Sequence, residues 1–431
     1  MLFWDKLVPQ SPVYNVPIAL ATRGHIDQEA LARSVELIIS RHEVLRSLLV
    51  FDHGEPVAIL RRQSQRSLTF MDLSDSPVSD VVTAMQETAD AEARRPFHLG
   101  QDSMLRAALF RLSESNHLIV LTMHHIASDG WSVGVLLREL SQAYQGFARG
   151  TSSTLAPLRA QYTDFARWQR ELLQGPASER CLSFWKRQLE GIDSDSELLP
   201  LDHARPTKQT FVGNTLRANL PASTLSQFAE IGQLRRATPF MVMLAGLQVL
   251  LHSYSGTDEV VVGVPIANRA RPEFEPLIGC FINMVAIRGN VSGNPTFLEL
   301  LARVRETALA ALLHPEVPFS EVVRHLHPKR KANRTPWFQV QLVLQNYPMP
   351  DLQWPGLTLR PLAVDTGTSK FDLSVLVEMK QELEIAFEYN TDLFEASTMQ
   401  RILREYTGIL RRAVRQPDAR LRDLSVGTAV C

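Results

Sequence analysis

Cysteine is scarce: Cys181, Cys280 and Cys431 are the three in 431 residues. They stand too far apart for a disulfide framework or for the paired spacing of a zinc site, so a reducing, cytoplasmic setting is expected. An excess of charge of one sign is also missing. With 45 Lys and Arg against 46 Asp and Glu, and no basic run long enough to act as a tail, the chain has no long-range attraction for nucleic acid or an anionic membrane. Long apolar runs are absent as well; a stretch such as Phe240 to Leu251 falls short of the roughly 20 residues that span a bilayer. Met1 is followed at once by Leu2, Phe3 and Trp4, without the charged and apolar regions of a signal peptide, so a soluble protein is expected. No GxxxxGK[ST] loop is present to cradle nucleotide phosphates, so ATP-driven chemistry of that type is not expected of this chain. Short-period repeats and low-complexity tracts are lacking too.

What is there is enough for two lobes, because a chain of this length outgrows a single hydrophobic core. Asp27 precedes a helical pattern with Leu31, Val35, Ile38, His42 and Leu45 on one face, then Leu48 to Phe51 and Val57 to Leu60 read as strands around the turn Asp52-His53-Gly54-Glu55. Leu105 to Leu112 and His117 to Met123 read as strands. After a polar loop, Ser132 is placed as the N-cap of a helix carrying Val133, Leu136, Leu140, Tyr144 and Phe147. Texture changes at Gly150 to Thr154, Gly175-Pro176 and Leu199 to Pro206, and the lobe boundary is set there: residues 1–170 as an N-terminal lobe and 171–431 as a C-terminal lobe. Thr238-Pro239 opens an apolar helix through Leu251. Val260 to Val264, Val285 to Arg288, Gln339 to Leu344 and Leu373 to Val377 read as strands, and Phe297 to Leu313 as a helix. Strands and helices mingle in both halves, which predicts α/β or α+β layering.

The segment with most chemistry is Met123-His124-His125-Ile126-Ala127-Ser128-Asp129-Gly130-Trp131-Ser132. If the strand continues through both histidines, their side chains point to opposite faces, so one of them serves structure. A histidine at the mouth of a strand can accept a proton or hydrogen-bond an amine near neutral pH. Asp129 either orients that imidazole or pairs with an arginine and holds the loop. Gly130 gives freedom for a positive φ or for close approach of a substrate. Taken alone, two adjacent histidines and an aspartate are more often surface or core residues than a site, and no further Cys/His cluster completes a metal ligand set.

The whole phrase resembles the HHxxxDG signature of nonribosomal peptide synthetase condensation domains, within the chloramphenicol acetyltransferase-like superfamily. Further phrases occur in the family's order: Arg41-His42-Glu43-Val44-Leu45-Arg46 resembles RHExLR, and Tyr162 to Trp168 resembles YxDYAxW. Ile278-Gly279-Cys280-Phe281-Ile282-Asn283 resembles IGxFVN, and Arg334 to Gln339 resembles (R)xPxFQ. The resemblance implies two acetyltransferase-like lobes in a V-shaped pseudodimer, with a tunnel entered from opposite sides by donor and acceptor carrier domains. It implies that His125 is catalytic, that His124, Asp129 and Gly130 shape its loop, and that Asp129 forms a salt bridge, with Arg269 as candidate partner. Arg41, Arg46, Trp168 and Asn283 enter as supports of the site on the motif match; read without it, the arginines are solvated charges, Trp168 is core packing and Asn283 satisfies backbone. The activity implied is amide-bond formation between carrier-bound thioesters, with no cofactor or metal held by this chain and the substrates carried on phosphopantetheine of partner carrier domains. Adjacent adenylation and carrier domains of the same synthetase are the further partners implied. The rival readings are a free-standing acyltransferase of the same superfamily and a non-catalytic recruitment domain.

Two departures stand out. Leu2 to Leu7 looks like the end of the family's first motif without the Ser, Gln and Arg that precede it there, which suggests a trimmed or incomplete reading frame. His314 to Ser320 replaces the family's HQDxPFE. The run Ser128 to Leu136 looks most like the subtype that joins an L-configured donor to an L-amino acid acceptor.

Overall fold

Strand β6 (Asn116–His124) shows how the first sheet is built: Ile119, Leu121 and Met123 enter one apolar core, whereas Leu118 and Val120 enter another, so both faces are covered. In the computed structural model, residues 1–2, 8–62, 68–74, 81–151, 155–193, 195–329, 331–347, 349–350, 352–379 and 382–424 are described. Phe3 to Leu7 of the first-motif reading, Ser152 to Thr154 of the boundary reading and Cys431 lie outside them.

The chain forms two compact units. Unit one contains residues 1–170, 269–282 and 347–366; unit two contains 171–268, 283–346 and 367–431. Relative to contiguous halves divided at 170/171, two stretches of the later chain pack with the earlier one. One of them carries Arg269 and the Ile278 to Phe281 phrase, so residues far apart in sequence meet inside unit one.

Unit one is built on a five-stranded sheet. In chain order its strands are β1 (Asn15–Arg23), β4 (Leu68–Asp72), β5 (Leu105–Arg111), β6 and β11 (Thr358–Leu362), in the spatial order β11-β1-β6-β5-β4. The helices Gln28–Arg41 and Gly130–Ala148 bury Leu31, Val35, Ile38, Val133, Leu136 and Leu140 on one face of the sheet. Helix Val81–Arg94 covers the other with Met85 and Ala89. Strands β2 (Ser47–Asp52) and β3 (Glu55–Leu60) form the expected hairpin. Asp27 caps its helix by accepting from Ala30 N–H, but that helix ends at Arg41; His42 is its C-cap and Leu45 lies in a separate short turn, Glu43–Arg46.

Unit two carries a six-stranded mixed sheet of β7 (Gly213–Leu220), β8 (Glu259–Ile266), β9 (Asn283–Asn290), β10 (Val340–Gln345), β12 (Leu373–Met379) and β13 (Leu383–Asn390), ordered β7-β13-β12-β10-β8-β9. Helix Pro239–Ser255 is buried nearly all round, which explains its continuous apolar sequence, and Thr238 caps it by accepting from Met241 N–H. Phe297–Leu312 begins with a reciprocal capping box between Thr296 and Glu299. Among the described residues no single helix is long and apolar enough to cross a membrane.

β7 starts where two backbones nearly touch: a Cβ on Gly213 would lie 2.4 Å from the carbonyl carbon of Thr368. Backbone cannot yield as a side chain does, so Gly213→Ala is expected to cost about 1 to 3 kcal/mol in urea-denaturation free energy. An unchanged midpoint and slope would contradict this packing.

Candidate active site

β6 ends at His124, directly opposite Asn15 of β1, and the ladder is extended by one bond from His125 N–H to the Tyr14 carbonyl, 2.7 Å. The chain then turns: Ala127 N–H donates to the His124 carbonyl at 2.9 Å, and Ile126 N–H donates to His124 Nδ1 at 3.1 Å. The two histidines therefore differ because the strand stops between them, and not because a continuing strand alternates. His124 is the last strand residue and is 3% exposed, with its ring packed on Phe97 and Tyr14 at centroid distances of 5.6 and 6.0 Å. His125 is half-buried in the turn. Burial pushes the Tyr14 phenol above its ordinary value, with the Cys280 thiol nearby adding to the shift.

Asp129 closes the loop. It is the N-cap of helix Gly130–Ala148, accepting from Ser132 N–H at 2.8 Å, which corrects the expectation that Ser132 caps this helix. The spacing of Asp129 and Ser132 is that of an N-cap and the third helical residue, a signal present in the sequence. Ser132 instead adds its hydroxyl, 2.7 Å from the same carboxylate. The carboxylate also accepts from Phe281 N–H at 3.0 Å and from Arg269 Nη2 at 3.1 Å. Arg269, the arginine singled out as candidate partner, is 3% exposed at its side chain and Asp129 is 1% exposed. Its other terminal nitrogen donates to the carbonyls of Phe274 and Leu277, and its guanidinium carbon lies 3.9 Å from the Phe281 ring centroid. Burial pushes this guanidinium below its ordinary value, and the Asp129 charge works in the opposite direction.

Gly130 is required for closeness and not for a positive φ: it is the first helical residue, and a Cβ there would stand 2.9 Å from the Tyr347 ring. Arg41 bonds Glu139 of the same helix at 3.0 Å and the Ala156 carbonyl. Arg46 lies elsewhere, donating to the Arg61 carbonyl at 2.7 Å across the base of the hairpin. Trp168 belongs to an aromatic cluster with Phe165 and Phe274, in which Phe165 and Tyr162 also pack on Phe281 at 4.6 and 5.2 Å. This cluster braces the segment that reaches Asp129. Asn283 works inside unit two, donating to the Pro315 and Val317 carbonyls and accepting from Phe319 N–H, so it shapes the loop that replaces the HQDxPFE phrase. Sequence reasoning assigned no site role to Tyr14, Ser132, Glu139 or the imidazole of His42; the partners of Tyr14, Glu139 and His42 come from distant segments, and Ser132 joins Asp129 to the distant Gly279.

The geometry can present one imidazole at the end of a rigid strand with its backbone fixed on both sides. Ser128, the hydroxyl nearest His125 in the loop, is fully buried and donates to the His124 carbonyl at 3.1 Å, so it is placed as a structural tie and not as a nucleophile. The chemistry left to the loop is hydrogen bonding or proton transfer by the imidazole.

The family model for the condensation domain matches residues 1–429. One of the proteins that make up linear gramicidin synthase in Brevibacillus parabrevis is 39% identical over 427 residues, covering 98% of this chain and 6% of that protein. The chain thus spans a small fraction of the length of the curated relatives it matches. A solved complex of the X-domain and OxyB from teicoplanin biosynthesis contains a similar chain, with TM-score 0.87 and 27% identity over 97% of this chain and 92% of that one. A four-domain nonribosomal peptide synthetase bound to AMP and glycine shares the fold, with TM-score 0.88 and 21% identity over 99% of this chain and 33% of that one.

Replacing Asp129 by Asn leaves the Arg269 charge buried beside a neutral amide. Asp129→Asn is expected to lower the unfolding free energy by about 3 kcal/mol or more, read by denaturant titration, together with activity. Unchanged stability with abolished turnover would instead mark Asp129 as acting directly on His125.

Proposed function

Because the chain belongs to the condensation-domain family, we propose that it forms an amide bond between a carrier-bound acyl or peptidyl thioester donor and a carrier-bound aminoacyl acceptor. The observation that carries this reading is His125, half-buried at the turn after β6 in a loop clamped by the Asp129–Arg269 pair. In the reaction, the neutral α-amine of the acceptor attacks the donor carbonyl carbon. A C–N bond forms, the tetrahedral oxyanion collapses, the C–S bond breaks, and the donor carrier leaves as its thiol while the amine loses a proton. His125 either takes that proton or holds the amine in line as hydrogen-bond acceptor. An α-amino group with a pKa of about 8 is already partly neutral, so alignment carries much of the work. Holding two reactants in register can supply roughly 7 to 11 kcal/mol, and an imidazole acting on the proton about 10² to 10⁴ in rate.

The phosphopantetheine arms belong to the carriers in this reading, and this chain holds no cofactor of its own. Donor and acceptor carrier domains are the partners, with an adenylation domain of the same synthetase supplying activated amino acid, in the cytoplasm. We assign the subtype that joins an L-donor to an L-acceptor, and an acetyltransferase-like ancestry for both lobes, on the phrases quoted above. A second reading, a partner-recruiting domain without turnover, draws on the likeness to the X-domain seen with OxyB. The presence of His125 and Gly130 favours the first.

The assay is dipeptidyl-carrier formation followed by mass spectrometry. A donor on its carrier is expected to react far faster than the same acyl group on a small thiol at equal concentration, because docking raises its effective concentration to about the millimolar range. His125→Ala, folded, is expected to lose about 10²-fold or more. Efficient transfer from coenzyme A to a free alcohol would move the protein to free-standing acyltransferases, and no product with loaded carriers would favour recruitment.

A further inference from the structure

Leu277 to Phe281 has no regular secondary structure, yet all of it except Cys280 is buried. Buried backbone without a ladder must find partners among side chains. Here each residue has one: Arg269 donates to the Leu277 carbonyl, Ile278 N–H donates to His42 Nδ1, and Gly279 N–H donates to Ser132 Oγ. Tyr162 OH donates to the Cys280 carbonyl, and Phe281 N–H donates to Asp129. Four of these partners belong to the pair, helix cap and aromatic cluster already described. His42 does not.

His42 is 1% exposed, and its ring is held at both nitrogens. Nδ1 accepts from Ile278 at 3.3 Å, so the ring proton sits on Nε2, which donates to Glu139 Oε2 at 2.9 Å. The other oxygen of Glu139 accepts from Arg41 at 3.0 Å. Glu139 lies on the helix that Asp129 caps, so one rigid helix grips the segment twice: at its start through Asp129 and Ser132, and further along through Glu139 and His42.

We infer that His42 and Glu139 are positioning residues for the condensation reaction proposed above, fixing residues 277–281 and through them the Asp129 cap and the His125 turn. The inference rests on that reading of function. Glu139 selects the tautomer of His42, and the tautomer decides whether the ring can accept from Ile278. Neither residue touches the reacting groups.

The test compares His42→Phe, which fills the volume without an acceptor, with His42→Asn, whose Oδ1 can stand near the position of Nδ1. Wild type and both variants are assayed with loaded carriers, and amide hydrogen exchange is followed at Ile278 and Phe281. His42→Phe is expected to lose about ten- to a hundredfold in kcat with little change in KM, and to exchange both amides faster. His42→Asn is expected to recover most of both. A His42→Phe protein with wild-type kcat, or an Asn variant no better than Phe, overturns the inference. A wild type that makes no product overturns the functional reading instead, and the exchange rates then judge the clamp by themselves. Should His42→Phe fail to fold, the ¹⁵N spectrum of His42 in the wild type decides: protonation at Nε2 alone supports the clamp, and protonation at Nδ1 overturns it.

Discussion

The Asp129 carboxylate is the constraint on which the loop depends. Burying a carboxylate without partners costs several kcal/mol, so the chain must bring donors to it. Two come from Ser132, one turn along its own helix, and two come from 140 and 152 residues away, at Arg269 and Phe281. The same carboxylate caps the helix, where the exposed amides and the macrodipole favour a negative charge. One side chain thus starts the helix, stops the loop and recruits a distant segment. His125 is carried by a turn whose two ends are fixed.

That arrangement suits a reaction whose nucleophile needs little activation. An amine that is partly neutral already gains most from being held against its electrophile, and a loop tied down by backbone hydrogen bonds and a buried ion pair holds an imidazole more closely than an open one. A shared scaffold also accounts for the likeness to an X-domain that appears in complex with OxyB. In the function proposed above, the clamp supplies the support and the side chain at position 125 supplies the chemistry.

Elements whose signal is local were legible in the sequence. The helix start after Asp27, the opening of the apolar helix Pro239–Ser255 at Thr238-Pro239, the β2–β3 hairpin and the apolar run of β6 were all readable from neighbouring residues. β11 was not: Thr358 to Leu362 is short, contains Pro361 and pairs with β1 across most of the chain, as a proline-bearing edge strand can. β7 carries Asn214, Arg217 and Asn219 among its few apolar residues and gave no clear alternation. At the site, the resemblance offered Arg269 as a candidate partner of Asp129, and their meeting depends on residues 269–282 returning to unit one. The His42–Glu139 contact was hidden because the hydrogen bond joins residues 97 apart.

The most direct measurement is a double-mutant cycle on Asp129→Asn and Arg269→Gln, read both in unfolding free energy and in kcat with loaded carriers. If the buried pair is what holds the His125 turn, the two changes are strongly coupled, by about 1.5 kcal/mol or more in stability, and the double variant loses little more activity than either single one. Additive effects in both readouts, with a coupling near zero, would contradict the account.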